Sequence, residues 1–255
     1  MSTTRRPLPV LVLAAGALLS ASLSANAGQR LFTYVYESTT APKGAVEVEN
    51  WVTWQHHGGV ARVDEFDFRH ELEFGLSQHV QLGVYLANWN YTDTPEGSEA
   101  RYENSGAELI WNLTNPTTDF LGSALYLEVN AGNRSCELEG KLLLEKKLGP
   151  VTLAYNVGIE AEWAGHKLKE EIGGEFFQSF GASVPLCKHV SLGAELLHEI
   201  DIPDWRESEP SVLWIGPNAS FRAGHFYATV TGLFRVTSNE DEPEVQTRLI
   251  FGYNF

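Results

Sequence analysis

From Ala45 to Phe255, apolar and polar residues exchange places at nearly every position, the period of two expected of strands with one greasy and one wet face. The clearest stretch sets Phe66, Phe68, His70, Leu72 and Phe74 against Glu65, Asp67, Arg69, Glu71 and Glu73. Repeating this pattern along the chain predicts twelve strands, at 45–57, 60–76, 80–92, 102–115, 122–133, 136–147, 151–164, 171–185, 190–202, 211–221, 225–236 and 244–255. Tight turns at Ser77–His79, Leu148–Pro150, Leu186–His189 and Arg222–Gly224 alternate with longer acidic connections at Thr92–Arg101, Pro203–Pro210 and Thr237–Pro243. Two of the tight turns share the pattern L-x-x-H-V-x-L-G, at Leu76–Gly83 and Leu186–Gly193, as if one hairpin solution were used twice.

The greasy faces are too extensive for a water-soluble sheet. A secreted sandwich would need fewer strands and would bury its aromatics centrally. Here Trp54, Phe66, Trp163 and Phe234 fall near one set of strand ends, and Trp111, Tyr155, Tyr253 and Phe255 near the other, the spacing of two interfacial girdles. Turning the other face to lipid would cost about 2–4 kcal/mol for Arg69 alone, which fixes the facing of its strand. Beyond the N-terminus no run of about 18 apolar residues is available for a membrane helix. The expected fold is therefore an all-β, transmembrane, antiparallel up-and-down β-barrel of about twelve strands. Its last stretch, Val245 to Phe255, alternates to the end with Tyr253 and Phe255 on the greasy face, and resembles the terminal strand of Gram-negative outer-membrane barrels. That resemblance implies that it closes the barrel and is read by the barrel-insertion machinery.

Ahead of the strands, Arg5 and Arg6, the apolar run Leu8–Leu23 and Ala25-Asn26-Ala27 form a cleavable signal peptide over 1–27. Residues 28–44 are either a periplasmic segment or a plug. A periplasmic tether is the favoured expectation, with the barrel over 45–255. The whole chain carries a formal charge of −15, and losing the signal's two arginines makes it −17. So acidic a protein is not a nucleic-acid binder, while cations are easily accommodated. Cys136 and Cys187 fall at opposite ends of the barrel, too far apart for a disulfide, and are expected to be free thiols.

By parity the lumen receives most of the acids. Closure should bring Arg248 and Arg235 near Glu47, Glu49 and Glu71, with Asp67, Arg69 and Glu73 in the same charge network. Such a lumen either favours cation passage or merely fills a narrow barrel with compensating pairs. Asn50 and His70 should meet on the outer wall. The pair resembles part of the outer-membrane phospholipase site, but no outward serine accompanies it, so a self-satisfied cross-strand pair is the better expectation. His56, His57, Asp64 and His166 could form a surface transition-metal site, although no metal-binding spacing supports it and solvated histidines are expected. No cofactor is expected. Acids in the outer loops, among them Asp204, Glu207, Glu209 and Glu240, could bridge divalent cations to lipopolysaccharide, beside the lipids the wall itself contacts.

Strand count, single domain and repeated turns together resemble the small outer-membrane barrels of the phenol-degradation (meta-pathway) transporter-like type. The resemblance implies passive uptake of small solutes across the bacterial outer membrane. The expected function is a non-enzymatic channel with an acidic, cation-favouring lumen. A closed structural or adhesive barrel acting through its outer loops is the alternative, followed by a lipid-modifying barrel enzyme.

Overall fold

The computed structural model describes residues 30–58, 62–239 and 242–255. The signal peptide expected over 1–27 lies outside the described residues. Twelve strands follow one another: β1 Val46–His57, β2 Val63–Gly75, β3 Val80–Thr94, β4 Gly97–Thr114, β5 Gly122–Gly132, β6 Ser135–Leu148, β7 Val151–Ala164, β8 Glu171–Pro185, β9 Val190–Pro203, β10 Val212–Ala223, β11 Phe226–Arg235 and β12 Val245–Asn254. Each pairs antiparallel with its neighbours, and β12 returns to β1, so the sheet closes into a barrel with no free edge. One end carries the tight turns and the start of β1; the other carries the longer loops.

Alternation sorts the side chains as the pattern predicts. Leu125, Leu127 and Val129 of β5 are exposed on the outer wall, while Ala124, Tyr126, Glu128 and Asn130 are buried inside. A wall that exposes Trp111, Leu138, Ile159, Phe180, Ile215 and Phe234 together is suited to hydrocarbon and not to water.

The two L-x-x-H-V-x-L-G turns are built identically. Leu76 and Ser77 both donate backbone N–H to the Val80 carbonyl, and Leu186 and Cys187 do the same to Val190. The carbonyls of His79 and His189 each accept from the next strand over, at Asn112 and Arg222. At Leu148–Val151 the turn is closed by Gly149 at φ 59°, a backbone conformation that favours glycine at the first position of a two-residue hairpin.

One expected loop is absent. Thr92–Arg101 lies largely within β3 and β4, which run on to the pair Thr94 and Gly97. Both faces of this extension are polar because it stands clear of the apolar belt, so ladder bonds persist where alternation has faded. Cys136 at the loop end and Cys187 in a tight turn at the opposite end are both free.

The N-terminal segment departs from the favoured expectation. Leu31, Phe32, Thr33, Tyr34, Val35, Tyr36 and Ser38 are all buried, and they pack against inward-facing residues of the wall. The barrel's apolar core is therefore luminal: Tyr36 belongs to one cluster with Trp51, Ile110, Tyr126, Leu143, Tyr227 and Ile250, and Tyr34 to another with Leu197, Val212, Trp214 and Leu233. Burying those aromatics inside removes apolar area from water, which a tether hanging in solvent would leave exposed.

Candidate functional site in the barrel lumen

The segment is neither helix nor strand, so its buried backbone groups need partners from elsewhere. The wall supplies them as side chains. The Glu195 carboxylate accepts three successive backbone N–H groups, from Thr33 at 2.9 Å, Tyr34 at 2.7 Å and Val35 at 3.2 Å. Asn156 treats Tyr36 as a strand would, accepting its N–H at 2.7 Å and donating to its carbonyl at 2.9 Å. Further along, Ser38 N–H donates to Glu145 at 3.1 Å and Ala41 N–H to Gln81 at 2.7 Å. Thr229 and Asn218 donate to the carbonyls of Arg30 and Leu31, both at 2.6 Å. Gly181 is glycine for a steric reason: a Cβ there would lie 2.6 Å from the Phe32 ring.

Cations and aromatic faces make up the next layer. Three guanidiniums surround the ring of Trp51, with Arg30 at 4.9 Å, Arg69 at 5.0 Å and Arg248 at 5.3 Å from its centroid. Each also lies over a tyrosine: Arg30 over Tyr36, Arg69 over Tyr85 and Arg248 over Tyr34. Lys141 lies over Tyr126 at 4.4 Å and pairs with Glu139 at 2.5 Å, while Arg69 pairs with Glu128 at 3.3 Å.

Above this layer, toward the loops, lies a cavity of about 540 Å³. Its floor includes Tyr34, Tyr36 and Trp51, and its lining reaches Glu103, Glu137, Asp201 and Glu242 at the loop end. Ten acids line it against three bases, Arg69, Lys141 and Arg248. Burial, with Asp201 next in weight, pushes the carboxyl of the loop residue Glu242 above the usual carboxylate range, against the pull of His57 and Arg235.

A family model described as a family of unknown function, DUF6662, matches residues 24–255. The chain belongs to this DUF6662 family. No curated protein matches it. Among solved structures, this DUF6662 barrel is similar to the NanC porin, with TM-score 0.51 and 6% identity over 82% of this chain and 98% of that one. It is also similar to the translocator domain of the autotransporter NalP from Neisseria meningitidis, with TM-score 0.52 and 10% identity over 83% and 88% of the two chains. At such identities the likeness is one of fold, that of the outer-membrane β-barrels.

The charge network expected from sequence divides into three places. Glu47, Glu49, Glu71 and Glu73 gather near the turn end, where Glu49 meets Arg30 of the segment at 3.7 Å and accepts from the Tyr227 hydroxyl. Arg248 is not beside them: closure pairs Glu47 with Asn254 and Glu49 with Gly252, which sets Arg248 opposite Thr53. Four residues along a strand separate it from Glu49 by roughly 13 Å. Its Nε donates to the Thr53 hydroxyl at 2.9 Å and an Nη to the Thr33 carbonyl. Arg235 lies at the loop end and donates to the Glu242 carbonyl. Arg69 reaches across to Glu128, and Asp67 accepts from Asn90 at 2.8 Å.

Parity places Glu128 and Glu195 in the lumen, where both are buried, without singling them out as organising residues, and sequence reasoning missed Asn156 and Trp51. The one available hint was the aromatic spacing of Phe32, Tyr34 and Tyr36.

On the outer wall Asn50 and His70 do meet, with His70 Nδ1 2.8 Å from Asn50 Oδ1. Trp89 closes the pair by donating its indole N–H to His70 Nε2 at 3.2 Å. That donation makes Nε2 the acceptor and Nδ1–H the donor, so both ring nitrogens are occupied. His56 contacts Asp64 at 2.8 Å, and Asp64 also binds Arg62. Among the described residues these histidines form no group of three ligands; such a group exists only at Glu49, Glu71 and Glu73.

Proposed function

We propose that this DUF6662 member is an outer-membrane channel for small cationic or cation-accompanied solutes, held shut by its own N-terminal segment. The observation that carries the proposal is the acidic cavity of about 540 Å³ that reaches the loop end and is floored by Tyr34 and Tyr36 of that segment. In this reading the short turns face the periplasm and the acidic loops face outward, against lipopolysaccharide. Carboxylates concentrate cations in the cavity, and release of the segment opens the path below it. Passive uptake of small solutes of this kind is what kinship with the meta-pathway transporter-like barrels would entail. The role is non-enzymatic.

The test is conductance in planar bilayers of the mature chain and of a variant lacking residues 30–44. The full chain is expected to show rare, brief openings, and the shortened chain a steady cation-selective current. A shortened chain that folds but carries no current would overturn the channel. The second reading, a closed barrel acting through its loops, draws on the same seated segment and is the outcome to which that result would point.

A further inference from the structure

The turn end of the lumen holds a feature that solute passage does not require. Glu49 of β1 and Glu71 and Glu73 of β2 are all buried, and each presents one carboxylate oxygen within 4.8 Å of the other two. Glu108 of β4 stands alongside, across Gly83: any side chain at Gly83 would collide with the Glu71 carboxylate and with Cγ of Glu108. The glycine therefore leaves the space in which these acids converge.

Two carboxylate oxygens in this space, Glu71 Oε1 and Glu108 Oε1, are buried without a hydrogen-bond partner, although both residues are only 1% exposed. Buried polar atoms in folded proteins are almost always partnered, and an orphaned carboxylate oxygen is among the costliest exceptions. Arg30 does not fill the role. Its Nη2 lies 3.7 Å from Glu49 Oε1, and neither Nε nor Nη2 makes a hydrogen bond. The guanidinium is held instead on the faces of Tyr36 and Trp51.

We infer that Glu49, Glu71 and Glu73, with Glu108 beside them, form a binding site for a calcium-class divalent cation inside the turn end of the barrel. The donors are all carboxylate oxygens, which suit hard cations and not the softer transition metals. An ion central to three oxygens no more than 4.8 Å apart lies within about 2.8 Å of each, a space that admits the 2.3–2.6 Å of calcium, and a buried cage of protein carboxylates suits calcium better than magnesium, which keeps several of its waters. The Arg30 charge beside Glu49 opposes a second cation in the same space, so seating of the segment and occupancy of the site are antagonistic.

Terbium(III), a luminescent stand-in for calcium, provides the test. Trp51 donates its indole N–H to Glu49 Oε1 at 2.5 Å, near enough to sensitise a lanthanide held there. Refolded full-length mature protein is expected to show terbium emission on tryptophan excitation. Calcium should displace that emission, and Trp51→Phe should remove most of it. In calcium calorimetry Glu71→Gln and Glu73→Gln should each weaken binding at least tenfold, and Arg30→Gln should tighten it severalfold. Smaller losses in the Glu71 and Glu73 variants overturn the site. So does loss of binding in Glu207→Gln/Glu209→Gln, which assigns the ion to the outer loops. If the glutamate variants do not fold, Arg30→Gln decides, since it leaves the wall intact; unchanged calcium affinity in that variant overturns the site.

Discussion

The guanidinium of Arg248, on the strand that closes the barrel, lies 4.1 Å from the ring centroid of Tyr34, on the segment that fills it. One residue thus belongs to both the seam and the plug, because its Nε is held by Thr53 across the β1–β12 seam while an Nη reaches the Thr33 carbonyl. A desolvated cation–π contact is worth up to about 2 kcal/mol and a neutral hydrogen bond about 1. Arg248→Ala is therefore expected to loosen the segment by about 2–3 kcal/mol, which raises channel open time roughly 30- to 150-fold. Single-channel recording measures this; unchanged open time would separate Arg248 from the closure.

Glu195 should matter more. Its carboxylate is the common acceptor for three consecutive N–H groups of the segment. Glu195→Ala strands all three, at about 1–3 kcal/mol each. Cleavage by an arginine-specific protease after Arg30, half-buried in the lumen, reports release. The variant is expected to be cut faster than Arg248→Ala, while the barrel itself stays resistant.

The Asn50, His70 and Trp89 cluster gives a prediction of the opposite kind. His70→Leu leaves Asn50 and the Trp89 indole N–H unpartnered on an apolar wall, and should destabilise the barrel by about 2–4 kcal/mol. Replacing all three residues with Val, Leu and Phe should restore most of the loss, because removing every partner of a closed polar group is nearly neutral. Thermal unfolding in detergent reads both effects. Phospholipid hydrolysis by the wild-type protein that disappears in His70→Leu would instead give the histidine a catalytic task.

Strand number and facing were legible because lipid outside and charge inside impose a strict alternation, nowhere plainer than in β2. The extension of β3 and β4 was not, since backbone pairing beyond the apolar belt leaves no such trace. The place of Arg248 depended on register across the seam, where one shared face still leaves many rungs to choose from. The segment was hardest to place. Its partners lie 162 residues away for Thr33 with Glu195 and 120 for Tyr36 with Asn156, and no local period encodes contacts of that range.

The many-sided cradle around residues 30–44 also sets an order of assembly. Its hydrogen bonds include those from Gln81, Glu145, Asn156, Glu195, Asn218 and Thr229, residues on β3, β6, β7, β9, β10 and β11, and its stacked cation comes from β12. No partial sheet presents those groups together, and contacts spanning so much chain carry a large loop-closure cost until the ends have met. The stretch that precedes every strand is thus the last to find its place, and its protection from protease becomes a clock for completed closure.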